Sequence, residues 1–345
     1  MSVSTRPEVG AFTSYQLPTE PEIPLRAKLD FNESPFDVPE EIKARVVAAL
    51  LARRWSEYPE FGAPRLRGAI AKATGRSLEE IVVGNGSGEV LHAAVTVFAG
   101  SGGTLVLPTP TFSLYDQMAV LAGARILRIP RVGPGFDVDE SAFLAAPEGA
   151  IPLVTSPNNP TGGVVSRRFV RALAARYPVV LLDQAYVDFA EPEDDLLPLV
   201  DELPNLAVFR TLSKAYSAAG FRIGYAVAST ELAREIQKGV LPFSVDLAAE
   251  ELALALLADG ETAEKTVRVI RAERDGLAAA LTALGLAVAP ARGNFLYFAV
   301  GGASRVRRHL LERGVKVRDL SGHLRVTVGT PEENQIFLSA LKECL

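Results

Sequence analysis

Apolar positions change their spacing several times along the chain. Residues 1 to about 28 carry Pro7, Pro18, Pro21 and Pro24 with no regular period, which predicts an extended arm. Behind Pro39, the residues Ile42, Val46, Val47 and Leu50 recur at helical spacing as far as Leu51, and a second helix is expected over 64–74. From Ile81 the pattern becomes short, nearly continuous apolar runs at 81–83, 104–107, 125–129, 151–155, 179–183, 206–210 and 224–228, separated by helix-like stretches. Strands covered on both faces read this way, and strand–helix alternation predicts a mainly parallel sheet. The expected fold class is α/β, with seven strands in one large domain over residues 40–244. Beyond it, long helices at 246–258 and 262–284 give way to strands at 287–289, 294–300, 316–318 and 324–328. Further helices are expected at 303–313 and from Pro331. Residues 245–345 thus read as a smaller α+β domain.

Composition narrows the function classes. With 345 residues the chain is long enough for two domains or one large α/β unit. A net charge of −5 offers no basic footprint for nucleic acid or an anionic membrane. There is no apolar run of about eighteen residues and no secretory leader in the first thirty, so a cytoplasmic protein is expected. Cys344 is the single cysteine, which excludes a disulfide framework. His92, His309 and His323 are far apart in sequence and form no helical pair, so no metal site is expected.

Ligands of open parallel sheets bind beyond the carboxyl ends of the strands, and the polar residues there come next. Thr211-Leu-Ser-Lys-Ala-Tyr-Ser-Ala-Ala-Gly-Phe-Arg222 lies between two apolar runs. Desolvation at such a place lowers the pKa of Lys214 and makes a neutral amine that attacks aldehydes. Arg222 brings a planar fork suited to phosphate, and Thr211 and Ser213 add hydroxyls. An aldehyde that carries a phosphate describes pyridoxal phosphate. In Gly84-Asn-Gly-Ser-Gly-Glu89, the small residues Gly86, Ser87 and Gly88 let backbone N–H groups reach a phosphate at a helix N-terminus. The same glycines miss the third position of a dinucleotide fingerprint, and a turn without ligand is the plain alternative. Phe112 offers a face for a flat heteroaromatic ring, or fills core. Within Ser156-Pro-Asn-Asn-Pro-Thr-Gly162, Asn158 is a donor for a phenolate oxygen. Asp183 ends a very apolar run and needs a partner. A protonated pyridine nitrogen supplies one, and a helix N-cap is the plain alternative. At an effective dielectric of ~20 and a separation of ~4 Å, the attraction is ~4 kcal/mol before desolvation. Tyr186, three residues on, reaches the same ring's oxygen.

Taken in order, Tyr58-Pro59, Gly84–Glu89, Phe112, Ser156–Gly162, Asp183–Tyr186 and Ser213-Lys214 through Arg222 resemble a fold-type-I pyridoxal-phosphate enzyme over nearly the whole chain. Leu29-Asp-Phe-Asn-Glu-Ser-Pro35 and Leu324-Arg-Val-Thr-Val-Gly-Thr330 are similar to the end motifs of the histidinol-phosphate aminotransferases. The resemblance implies that Lys214 holds the cofactor covalently and then shuttles a proton. Asp183 faces the ring nitrogen, Asn158 and Tyr186 the ring oxygen, and Phe112 the ring face. Gly86, Ser87, Gly88, Thr211, Ser213 and Arg222 take the phosphate. Tyr58 reaches the phosphate of a neighbouring subunit's cofactor, which implies a homodimer. Residues 1–39 serve as arm and part of the small domain. Arg318 and Arg325, with Tyr15, Asn32 and Asn294, take the anionic tail of the substrate. The implied reaction converts L-histidinol phosphate and 2-oxoglutarate into imidazole-acetol phosphate and L-glutamate. An aromatic amino acid aminotransferase and a decarboxylase of a phosphorylated amino acid share the scaffold. A cofactor-binding regulator would need a basic DNA-binding module, for which the residues ahead of Leu29 leave no room. Four features depart from the family pattern: Phe112 stands where tyrosine is common, Gly88 replaces an aspartate, Gln184 replaces a glutamate, and the Arg318–Arg325 connection is short.

Overall fold

The computed structural model describes residues 4–13, 23–320 and 322–345. After the two-residue strand β1 (Ala27–Lys28), each of the seven expected apolar runs forms a strand. These are β2 (Ile81–Asn85), β3 (Thr104–Thr109), β4 (Arg125–Pro130), β5 (Ile151–Thr155), β6 (Val180–Asp183), β7 (Leu206–Thr211) and β8 (Ile223–Val227). They make one sheet in the order β2-β8-β7-β6-β5-β3-β4. Pairings from β7 through β6, β5 and β3 to β4 are parallel, and β8 runs antiparallel to both of its neighbours.

The pleat explains why the runs are apolar throughout. Successive residues point to opposite faces, so Val106 joins one buried cluster while Leu105 and Leu107 join the other. Helices cover both faces, with Phe169, Val170 and Leu173 of helix Arg167–Arg176 on the first side and Val90, Ala94 and Val95 of helix Ser87–Ala99 on the second. β4 lies at a sheet edge, and accordingly Arg125 and Arg128 are exposed.

The C-terminal segment adds β9 (Phe295–Ala299), β10 (Val315–Lys316), β11 (Arg318–Asp319) and β12 (His323–Thr327). β11, β12 and β9 form an antiparallel sheet, and β10 pairs in parallel with β1. Their cluster includes Ala27 and Leu29, which ties the segment after the arm to this unit. Helix Leu247–Asp259, by contrast, sends Ala249, Leu252, Ala253 and Leu256 into the first cluster beside the large sheet.

Three local expectations change. Among the described residues of the arm, Pro7–Gly10 forms a helical turn begun by a proline at its first position, and Arg6 donates to the Leu121 carbonyl at 2.7 Å. Residues 287–289 do not form a strand, and Val288 makes only an isolated bridge to Phe298. The single strand expected at 316–318 is split, because Lys316 pairs with β1 and Arg318 with β12.

Candidate active site

The large sheet reverses its winding between β3 and β5: the chain goes from β3 outward to β4, then returns to β5 on the other side. A crevice beyond the strand ends is expected at such a point. A cavity of about 760 Å³ lies there, and it is lined by Lys214, Asp183, Tyr186, Phe112, Ser87, Gly88, Thr211, Ser213, Arg222, Arg318 and Arg325. Thus eleven candidates from four strand ends and the C-terminal sheet share one space.

One end is built for an anion. Helix Ser87–Ala99 begins at Gly86 without a side-chain cap, which leaves its first N–H groups available. Gly86 has φ +80°, and a Cβ there would meet Arg222 Nη2 at 2.3 Å, so only glycine lets the guanidinium lie across the turn. A Cβ on Gly224 would come within 1.9 Å of Ser87 N, so β8 must pass this close to the helix start as bare backbone. Arg222 Nη1 lies 3.4 Å from Ser213 Oγ, and Thr211 Oγ1 lies 2.9 Å from the same oxygen. Gly86 itself shapes this cradle from outside the cavity wall.

The middle holds the titrating pair. Lys214 donates to the Phe31 carbonyl at 3.0 Å. Burial first, then the positive charges of Arg325 and Arg222, bring its pKa down to about 7. Asp183 is buried at the end of β6. Burial raises its pKa, while hydrogen bonds from Tyr115 Oη (2.6 Å) and Ala185 N (3.0 Å) pull the other way. Tyr115, fully buried, also meets Thr155 Oγ1 at 2.8 Å, and desolvation together with the Asp183 charge pushes its own pKa well up. Phe112 stands edge-on to Tyr115 at 5.5 Å between centroids and forms part of the wall.

Four of the expected residues take other places. Asn158 does not face the cavity. Its amide donates to Pro110 O (3.2 Å) and Thr161 Oγ1 (2.9 Å), and its oxygen accepts from Thr111 (2.9 Å), so the side chain ties its own loop to the one after β3. Asn159 faces the cavity instead, 3.3 Å from Tyr186 Oη and 2.6 Å from Arg325 Nη1. Asn32 and Asn294 are buried behind the wall. Asn32 donates to Tyr186 Oη at 3.1 Å, and Asn294 donates to the Asn32 carbonyl at 3.0 Å. Tyr58 is 82% exposed and stacks on Phe243 at 4.9 Å, away from this chain's own cavity. Tyr15 lies outside the described residues.

At the other end, Arg318 and Arg325 are direct cross-strand partners on β11 and β12, and both line the cavity. Arg325 also donates to the Asp30 carbonyl. Tyr297 and Leu320 also line the cavity. The residues that sequence reasoning missed are Tyr115, Asn159, Phe31, Thr155 and Tyr297. Tyr115 had a signal, since it follows Phe112 by three positions at the start of helix Leu114–Ala122. Asn159 had none, because nothing in an Asn-Asn pair says which side chain turns inward.

Known proteins share the sequence pattern and the fold. Residues 27–341 match the family described as aminotransferase class I and II. A histidinol-phosphate aminotransferase of Chlorobium phaeovibrioides is 37% identical over 325 residues, covering 91% of this chain and 90% of the relative. One from Thermoanaerobacter pseudethanolicus is 33% identical, covering 99% and 98%. Among solved structures, histidinol-phosphate aminotransferase from Sinorhizobium meliloti in complex with pyridoxal-5'-phosphate has a similar fold. Its TM-score is 0.85 at 23% identity, over 98% of this chain and 96% of that one.

Proposed function

The chain belongs to the aminotransferase class I and II family, and from that premise we propose that it is a pyridoxal-phosphate-dependent histidinol-phosphate aminotransferase. One observation carries the reading: Lys214 and Asp183 face a single cavity that has an anion cradle at one end and two arginines at the other. The residues fit the cofactor. The Gly86–Arg222 contact, the uncapped helix start and the hydroxyls of Thr211 and Ser213 suit its phosphate. Asp183 suits its ring nitrogen, Tyr186 and Asn159 its ring oxygen, and Phe112 its face. When bound, pyridoxal phosphate supplies an electron-withdrawing ring that stabilises a carbanion.

The chain's own residues supply the rest. With a pKa of about 7, Lys214 Nζ both takes and returns a proton near neutral pH, a positioned exchange of the kind that contributes ~10²–10⁴-fold. Asp183, held by Tyr115 and Ala185, fixes a negative charge where a ring nitrogen would carry its proton. Arg318 and Arg325 are cross-strand partners that both line the cavity, so an anionic substrate tail there would meet two guanidiniums. A phosphate tail, with up to two charges, answers both better than a single carboxylate does.

The reading extends to a cytoplasmic homodimer in which Tyr58 serves the neighbouring site. It draws support from the exposure of Tyr58 on an apolar surface. Among the described residues no helix is long and apolar enough to cross a membrane. A small unit over residues 245–345 remains part of this reading, with helix Leu247–Asp259 packed into the first buried cluster beside the large sheet. Purified protein supplied with L-histidinol phosphate and 2-oxoglutarate should form L-glutamate, and should do so far faster than with phenylalanine or tyrosine as donor. Absence of glutamate with every donor would remove transamination, and preference for phenylalanine would reassign the substrate.

A further inference from the structure

Asn32 is a buried residue with φ +53°, in a left-handed conformation that an L side chain adopts only when its surroundings fix it. Its surroundings do so at each of its polar groups. The backbone N–H donates to Thr327 Oγ1 at 2.9 Å, and the carbonyl accepts from Asn294 at 3.0 Å. The side-chain oxygen accepts from Thr327 at 3.2 Å, and the amide donates to Tyr186 Oη at 3.1 Å. Four hydrogen bonds therefore commit this one residue to a single orientation.

The consequence falls on Tyr186. A phenolic oxygen has two acceptor positions and one hydrogen. Asn32 and Asn159 both donate to it, at 3.1 and 3.3 Å, and this occupies both acceptor positions. The Tyr186 hydrogen is left to point away from the two amides, and Tyr186 lines the cavity. The preceding residue, Phe31, accepts from Lys214 through its carbonyl. The dipeptide Phe31-Asn32 thus touches both the amine and the phenol of the site, while Leu29 and Asp30 just before it bond to Lys316, Thr327 and Arg325 of the C-terminal unit.

We propose that Asn32 is a positioning residue: by filling an acceptor position on Tyr186, it commits the tyrosine's hydroxyl hydrogen to the cofactor's ring oxygen. The inference rests on the pyridoxal-phosphate reading above. The charged groups acting on Tyr186 are Arg325 and Asp183, with Lys214 Nζ 5.8 Å from its ring centroid, and those acting on Lys214 are Arg325, Glu33, Arg222 and Lys28. None of these charged side chains is hydrogen-bonded to the Asn32 side chain, whose partners are Tyr186 and Thr327. With the cofactor bound, a hydrogen bond donated by Tyr186 would stabilise negative charge on the ring oxygen and so would favour the deprotonated form of the nitrogen at Lys214. Removing the donor must therefore raise the pH at which that proton leaves.

The test uses the visible absorption band of the full-length protein reconstituted with pyridoxal phosphate, titrated with pH. Asn32→Gly is the informative variant, because glycine keeps the left-handed backbone and deletes only the amide. Its midpoint should lie above that of the native protein by about half a pH unit to one unit, the size expected for one hydrogen bond. In a Tyr186→Phe background, Asn32→Gly should produce no further shift, since the group it acts through is gone. Thr327→Val leaves Asn32 in place but removes two of its anchors, and should shift the midpoint in the same direction; it serves if the glycine variant does not fold. An unchanged midpoint in the folded variants, or an equal shift with and without Tyr186, would overturn the role of Asn32. A native protein that develops no visible band with pyridoxal phosphate would overturn the cofactor reading, and this inference with it.

Discussion

Lys214 bears a cost that its chemistry explains. An ordinary lysine titrates near 10.5, and burial brings this one to about 7. Between those values the unfolded chain binds more protons than the folded one, so stability rises with pH across that window. Below about pH 7 the penalty is fully present. Replacing Lys214 with methionine should therefore raise the melting temperature of the cofactor-free protein more at pH 6 than at pH 10, and melts at the two values decide it. An equal gain at both would mean that the amine is not buried. The same variant should show no visible band with pyridoxal phosphate. Tyr115 bears on the other charge. Tyr115→Phe removes a 2.6 Å bond to Asp183, so the carboxyl should protonate more readily, and turnover should fall about tenfold for a loss of ~1.4 kcal/mol. A turnover indistinguishable from native would make that bond structural only. At this scale the sequence was legible where chemistry is singular: one lysine after one apolar strand, one aspartate ending another. It failed where adjacent residues are alike, as with Asn158 and Asn159, because loop hydrogen bonds to Pro110, Thr111 and Thr161 decide which one turns inward.

Strands buried on both faces announce themselves through local composition, and β2 to β8 all lie where apolar runs predicted them. Short strands in the C-terminal unit did not, since their identity depends on a partner. Val317, between β10 and β11, marks the point where the chain leaves β1 for β12, and no local pattern encodes that change. The β11–β12 pair places Arg318 opposite Arg325, and the two positions should be separable. Arg318 is half-buried and Arg325 is buried against Asn159 and Asp30. Arg318→Ala should cut kcat/KM for histidinol phosphate by roughly 10²-fold, as expected for losing one charge-assisted contact of a few kcal/mol, with little change in stability. Arg325→Ala should do the same and also lower the melting temperature, because it strips partners from two buried groups. Steady-state kinetics alongside thermal melts check both, and equal losses with phenylalanine as donor would show that neither arginine reads the phosphate.

Assembly of the whole molecule is where the single chain looks incomplete. Trp55, Tyr58, Phe61 and Leu241 are all more than two-thirds exposed, and Phe243 joins Tyr58 and Phe61 through ring contacts. An apolar surface of this kind on a soluble monomer invites association. It also lies on loops that flank the large sheet, where local sequence predicts exposure but not what covers it. A second copy covering this face would bury the aromatics and carry each Tyr58 toward the other's phosphate cradle. Two variants separate these effects. If this face is the dimer contact, Leu241→Asp places a charge in it, so the variant should sediment as a smaller species than the native protein at equal concentration, and cofactor affinity should fall with it. Tyr58→Phe keeps the ring on Phe243 and removes only the hydroxyl. It should remain a dimer yet bind pyridoxal phosphate about tenfold more weakly, as for one lost phosphate contact of ~1.4 kcal/mol. A native protein that sediments as a monomer with full turnover would show that each chain's site is complete by itself, and that Tyr58 serves no neighbour.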